Sequence, residues 1–296
     1  MSILAISIGM NPNIVDFGPF LLSWHGFLTF VAVAVSVYLV ARWGTKDGMN
    51  TDAILSVSVW CIIGGIIGAR VLHVIDFWDS FYRFNPISVI LVWQGGIAIF
   101  GAILGGFVGG ALFIIIRNSQ RFLNLWGKYF RFFGEPNRAP LPGIGALADV
   151  AAPALLISMA IGRIGDIING EHFANFTNLP WGVLYTHPDS PGLGRAASHP
   201  AVAYELLFDL ALVLVIWPLR HRLRPSGMLF ALYLALYSTG RFFLSFLRVE
   251  QNMYIYGWLN EAQLVSLAVI LVTIPLLVYK ASFVRSVPRR EARQTS

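Results

Sequence analysis

The sequence predicts an all-α integral membrane protein: a bundle of about seven transmembrane helices, N-terminus outside and C-terminus cytoplasmic, with a small extracytoplasmic loop region between the fourth and fifth helices. Three observations predict it. First, 56% of the 296 residues are hydrophobic and 12% are charged, whereas a soluble domain carries about 25% charged residues. With a mean hydropathy of +0.68, polar side chains are too few to cover a water-facing surface. Second, apolar runs recur at a length suited to a bilayer. Third, basic residues collect in alternate connections between those runs.

A hydrocarbon core about 30 Å thick takes roughly 20 residues at about 1.5 Å each. Seven runs fit: 20–41, 53–75, 87–116, 147–168, 201–219, 227–247 and 262–281. The third is over-long and rich in glycine, so it is expected to tilt or to break near Gly95 and Gly96. Together the runs form a single transmembrane catalytic domain, residues 1–281, followed by a basic cytoplasmic tail, residues 282–296. The connection 117–146 is basic and interrupted by Pro136, Pro140 and Pro142; it is expected to be a cytoplasmic loop held by anionic headgroups. The loop region 170–200 differs in carrying Glu171, His172, Asn175, Asn178, Trp181, His187 and His199.

Orientation follows from charge. Arg42 and Lys46 follow the first run. Arg117, Arg121, Lys128, Arg131 and Arg138 follow the third. Arg220, Arg222 and Arg224 follow the fifth, and Lys280, Arg285, Arg289, Arg290 and Arg293 close the chain. These segments alternate and are assigned to the cytoplasm; Arg83 and Arg195 are the main basic residues opposite. The same placement accounts for the net charge of +6 without nucleic acid. The single cysteine, Cys61, excludes a disulfide framework and a cysteine-based zinc site. Residues 1–19 hold no Lys or Arg, so no cleaved signal peptide is expected.

Ionisable residues within membrane runs are costly and are therefore functional candidates. Arg70 and His73 share a face at the end of the second run. Arg163, Asp166 and Asn169 do so at the end of the fourth, with Glu171 just beyond. Tyr237, Arg241 and Arg248 recur along the sixth. His25 lies near the outer start of the first run, and His199 and Glu205 flank that of the fifth. Plainer roles stand beside these. Arg83 and Arg195 suit surface arginines, Arg248 suits a snorkelling side chain, Asp149 a helix-dipole partner and His187 a solvated loop residue. Arg163 and Arg241 lie deeper, so they either pair structurally with Asp166 or Glu171 or converge on an anion. Guanidinium matches phosphate geometry, and the abundant phosphate at that depth is a phospholipid headgroup. The glycines Gly64, Gly65, Gly68, Gly95, Gly96, Gly101, Gly105 and Gly106 would allow close helix approach and leave room for acyl chains.

Several blocks resemble the prolipoprotein diacylglyceryl transferases. Gly162-Arg163-Ile164-Gly165-Asp166-Ile167-Ile168-Asn169-Gly170-Glu171-His172-Phe173-Ala174 is similar to the family's Gly-Arg-x-Gly-Asn-Phe-x-Asn-x-Glu-x-x-Gly. Ser23-Trp24-His25-Gly26, Gly68-Ala69-Arg70, Trp93-Gln94-Gly95-Gly96, His199-Pro200 with Tyr204-Glu205, and Tyr237 with Gly240-Arg241-Phe242 and Arg248 follow in family order, and Gln263 and Ser266 fit its last helix. The resemblance spans roughly residues 18–280. It implies a multi-pass enzyme of the bacterial cytoplasmic (inner) membrane with its active site toward the outer face. It implies transfer of the diacylglyceryl group of phosphatidylglycerol to the lipobox cysteine of a prolipoprotein signal peptide, with release of glycerol phosphate and no metal or soluble cofactor.

The resemblance points to Arg163 and Arg241 as the catalytic cations. Arg70, Asp166, Asn169, Tyr237, Arg248, Gly95, Gly96, His199 and Tyr204 fall at phospholipid-binding positions. The chain also departs from the pattern. Asp166 replaces Asn, His25 replaces Tyr, His73 replaces another aromatic residue, Ala174 replaces Gly and Ser245 replaces Glu. Phe100 stands where some members carry a histidine proposed as a base. His25, Glu171 and His172 are therefore the substitute base candidates. The departures keep open a divergent member acting on another lipid or acceptor. Intramembrane arginines and glycine-rich helices would equally suit a transporter or flippase for an anionic lipid.

Overall fold

The computed structural model describes residues 5–18, 20–91, 96, 98–134, 140–249, 253–254 and 257–284. Eight α-helices are present among them: α1 Trp24–Lys46, α2 Thr51–Asp76, α3 Ile99–Arg117, α4 Gln120–Tyr129, α5 Ile144–Asn169, α6 Ala201–Ile216, α7 Met228–Leu244 and α8 Glu261–Lys280. Six helical segments are long and apolar enough to cross a membrane, or seven if the bent pair Gly101–Arg117 and Gln120–Tyr129 is one span. The chain is a multi-pass membrane protein. It divides into two compact units, Met1–Leu39 with Ala148–Ser296, and Val40–Leu147.

In the unit Val40–Leu147, α2 starts where the Asn50 side chain accepts from the Ala53 N–H at 3.0 Å, a standard N-cap. Glycines then let α2 and α3 touch backbone to backbone. A Cβ at Gly64 would collide with the carbonyl of Gly105, and one at Gly68 with that of Gly101. The expected close approach is thus present, as helix packing. The third run does not form one long helix. A short 3-10 turn covers Pro86–Val89, Gly96 takes φ +78°, and α3 starts only at Ile99; Gly95 and Trp93 lie outside the described residues. The connection after α3 is not all loop either. It contains α4, turned 75° from α3, because Phe122, Leu123 and Trp126 recur at helical spacing among polar residues. Asn118 ties its return, donating to the Leu141 carbonyl at 3.2 Å and accepting from the Leu141 N–H at 2.8 Å.

In the other unit, Leu156, Leu212, Ile216, Leu229 and Tyr233 form a buried core between α5, α6 and α7. Asp149 serves a helix other than its own. Its carboxylate accepts from the N–H groups of Gly227 at 2.7 Å and Phe230 at 2.9 Å, capping α7. At α8, Asn260 and Gln263 form a reciprocal capping box. Residues 170–200 are a structured cap rather than a free loop. Strand β1 (Ile6–Ile8) pairs in parallel with β2 (Val183–Tyr185). The Asn175 N–H donates to the Leu247 carbonyl at 2.9 Å and the Val249 N–H to Phe173 at 3.1 Å.

Candidate active site

Within this unit, the start of α1, the ends of α5 and α7, the start of α6 and the cap bring their ionisable residues together. Two glycines position them. At Gly165 a Cβ would lie 2.9 Å from the His25 Cα, so the absence of a side chain sets α1 directly against α5, beside Asp166. Gly170, at φ +75°, ends α5, and a Cβ there would meet Ser190 and Tyr185 at 2.7 Å. Only glycine suits that reversal, which folds Glu171 and His172 back over the helix end. Tyr185 closes the corner by donating to the Ile167 carbonyl at 2.9 Å. Burial, reinforced by the Asp166 charge, pushes its hydroxyl pKa up to about 12, so it stays a donor.

Glu205, just past the first turn of α6 and 4% exposed, is the hub. Arg163 Nη2 reaches its Oε2 at 2.8 Å, Arg248 Nη1 reaches Oε1 at 3.0 Å, and Arg241 Nη1 also pairs with Oε1. Arg163 Nη1 meets Asp166 Oδ2 at 3.0 Å one turn along α5. Asp166 in turn accepts from His25 Nδ1 at 2.6 Å through Oδ1, while His172 Nε2 lies 3.5 Å from Oδ2. Arg248 Nη2 donates to His172 Nδ1 at 2.9 Å; guanidinium has no acceptor, so the neutral His172 ring carries its proton on Nε2. Glu171 Oε1 lies 3.8 Å from His25 Nδ1 and 3.9 Å from His172 Nε2.

Three guanidiniums thus share two carboxylates, Glu205 and Asp166, which leaves one positive charge in excess over these five groups; Asp209, within electrostatic range of Arg163 and Arg241, is a further carboxyl beside them. Among the described residues Arg241 engages only Nη1, so Nη2 and Nε keep donors for a ligand. A cavity of about 230 Å³ lies in the cap, with His172, Phe173, Tyr185 and Arg195 in its lining; none of the three lattice arginines lines it, and it meets the lattice through His172, which contacts Arg248 and Asp166. The arrangement can hold a monoanion such as a phosphodiester and stabilise charge growing on it.

A family model described as prolipoprotein diacylglyceryl transferase matches residues 12–130 and 141–279. The chain belongs to the prolipoprotein diacylglyceryl transferase family. Curated relatives named phosphatidylglycerol–prolipoprotein diacylglyceryl transferase agree along nearly the whole length. The protein of Synechococcus elongatus is 34% identical over 94% of this chain and 90% of its own. That of Dehalococcoides mccartyi is 32% identical over 92% and 95%, and that of Staphylococcus aureus 28% over 92% and 89%.

Of the residues singled out in this family member, Arg163, Arg241, Arg248, Asp166, Glu171, His25 and His172 come together. Tyr237 is partly buried on α7 within electrostatic range of Arg163 and Arg241. Tyr204 accepts from Trp181 Nε1 at 2.8 Å, and its ring centroid is 6.3 Å from that of His199. The Asn169 carbonyl accepts from Ser190 at 3.4 Å. Arg70 is engaged differently. Its guanidinium donates to the carbonyls of Val89 at 2.9 Å, Gly96 at 2.8 Å, Leu91 at 3.2 Å and Ser88. The sequence marks Glu205 as an ionisable residue at the start of its run, but gives it no catalytic or binding role. Its signal was present, as a glutamate opening an apolar run beside Tyr204. Asp209, one turn on and 1% exposed, was missed altogether; neither of its oxygens is hydrogen-bonded among the described residues.

Proposed function

We propose that this chain transfers the diacylglyceryl group of phosphatidylglycerol to the lipobox cysteine thiol of a prolipoprotein signal peptide, releasing glycerol phosphate. The observation that carries the reading is the lattice of Arg163, Arg241 and Arg248 on Glu205, with its excess positive charge, in a member of this family. The lipid phosphodiester carries one negative charge, which the lattice offsets. Sulfur attacks the glyceryl carbon next to the phosphate, the C–O bond breaks, and its electron pair stays on the phosphate oxygen. The arginines stabilise that oxygen as charge builds.

His25 is the preferred base. With Nδ1–H donated to Asp166 at 2.6 Å, the neutral ring keeps its Nε2 lone pair for the thiol proton, the orientation logic of a carboxylate–histidine pair. His172, with its proton on Nε2, serves instead to position Asp166 and Arg248. Glu171 is reserved as a second acceptor. The site is assigned to the outer face of the bacterial cytoplasmic membrane. It lies at the starts of α1 and α6 and the ends of α5 and α7, whereas Arg220, Arg222, Arg224 and Lys280 lie at the other ends of α6 and α8. The test is mass spectrometry of a lipobox peptide incubated with the purified chain in phosphatidylglycerol vesicles. The thioether product is expected from the native chain, and none from Arg163→Ala or Arg241→Ala protein that still inserts. Full transfer by both variants would remove the phosphate clamp.

A further inference from the structure

His25 Nδ1 and Asp166 Oδ1 face each other at 2.6 Å, and Glu171 joins them. One ligand atom from each of the three lies within 4.8 Å of the other two. We infer that His25, Asp166 and Glu171 bind one divalent transition-metal cation, and that occupancy of this site switches off the His25 base. The binding half stands alone; the switch rests on the transferase reading above.

The donor set suits the ion. A neutral imidazole and two carboxylates, one of which (Asp166) shares its charge with Arg163, make a nitrogen–oxygen set of the kind that holds Zn2+ with bonds of about 2.0–2.2 Å. Ligand atoms around such a tetrahedral ion stand about 3.3–3.5 Å apart by that bond length. His25 Nδ1 is 2.6 Å from Asp166 Oδ1 and 3.8 Å from Glu171 Oε1, so the set brackets the required spacing and small side-chain shifts reach it. Glu171 is 40% exposed and His25 42%, which gives an ion access and leaves a coordination position for water. Arg163 holds Asp166 through Oδ2 at 3.0 Å and leaves Oδ1 to face His25. That contact opposes a cation electrostatically but fixes the carboxylate's orientation, as outer-sphere partners do. His172 stays outside the set, because Arg248 donates to its Nδ1 and keeps the proton on Nε2.

The effect on the base has a definite sign. Without metal, Nδ1–H points at Asp166 and Nε2 holds the lone pair. A cation on Nδ1 displaces that proton, and the neutral coordinated ring then carries its hydrogen on Nε2. The nitrogen meant to take the thiol proton becomes a donor.

The test uses the full chain in detergent, stripped with a chelator and titrated with Zn2+ by equilibrium dialysis, with Co2+ as a visible-absorption probe. One tight Zn2+ per chain is expected. His25→Tyr and Asp166→Asn, which keep an aromatic ring and an isosteric amide in place, should each weaken binding at least tenfold. His187→Asn and His221→Asn should leave it unchanged. Absence of a stoichiometric site, or equal affinity in the His25 and Asp166 variants, overturns the site. Zn2+ should also lower transfer to a lipobox peptide, with recovery on chelation; stimulation or indifference overturns the switch. Transfer by the stripped native chain is measured separately, so failure of the metal site and failure of the transferase reading give different results.

Discussion

Arg70 and Arg163 look alike in the sequence: each is a deep arginine within two residues of a glycine, near the end of an apolar run. Their surroundings differ in kind. Arg70 is buried and its guanidinium donates to the backbone carbonyls of Ser88, Val89, Leu91 and Gly96, tying these residues together ahead of α3. Among the described residues Arg163 pairs with two carboxylates, Asp166 and Glu205, in a lattice it shares with Arg241 and Arg248. Carbonyls satisfy a cation's hydrogen bonds without cancelling its charge or leaving donors for a ligand. Shared carboxylates orient several cations and leave charge over. An intramembrane arginine is therefore a functional candidate only once its acceptors are known.

The largest effect should come from the hub of the second arrangement. Glu205→Ala leaves three guanidiniums without their common partner, and breaking a buried ion pair costs about 3–5 kcal/mol. Transfer should be undetectable and thermal stability in detergent should drop sharply. A Glu205→Ala protein that melts like the native chain would mean the arginines are held by something other than this carboxylate. Next in size, Arg241→Lys keeps a charge but loses the planar fork. We expect a fall in kcat of about 10²–10³, the scale of losing one donor to developing negative charge, with little change in melting temperature. Arg70→Lys should show the opposite split: lower melting temperature, and activity per folded molecule within about threefold of native. Equal kcat losses at Arg70 and Arg241 would erase the distinction between them.

How far the sequence reached follows the same division. Hydropathy and glycine content located the apolar runs, the weak point at Gly96 and the close packing of α2 on α3, because these depend on composition within one segment. The amphipathic α4 went unread, since its basic, proline-bounded setting resembled a loop. The depth of Arg163 and Arg241 marked them as partners for an anion, and family motifs reinforced this. The junction of Glu205 with three arginines and the carbonyls around Arg70 were beyond reach for one reason: their contacts lie on other segments. Glu205 meets Arg241 and Arg248 across 36 and 43 positions, and a backbone carbonyl has no sequence identity to recognise.

A smaller effect separates packing from chemistry in the glycine-lined helices. Gly68→Val places a branched side chain against the Gly101 carbonyl and the Gly105 Cα. Overpacking of this kind costs about 1–3 kcal/mol, so melting temperature should fall while the chemistry per folded molecule survives. Retained stability would mean that α2 and α3 can separate without penalty, and their glycines would then need another explanation.

The smallest expected effect comes from Asp149, a charged residue that the lattice does not include. It accepts from the N–H groups of Gly227 and Phe230, so it satisfies two donors that α7 cannot satisfy itself. Asp149→Ala should cost about 0.5–2 kcal/mol, as loss of an N-cap does. Asp149→Asn should recover part of that, because the amide oxygen still accepts while its charge interaction with the α7 dipole is gone. Since α7 also carries Tyr237 and Arg241, the informative measurement is the ratio of activity to folded protein. An unchanged ratio places Asp149 with Arg70 among residues that only hold the backbone. A fall in kcat beyond the loss of folded protein would mean that the seating of α7 sets the position of Arg241, joining the two kinds of charged residue that the geometry separates.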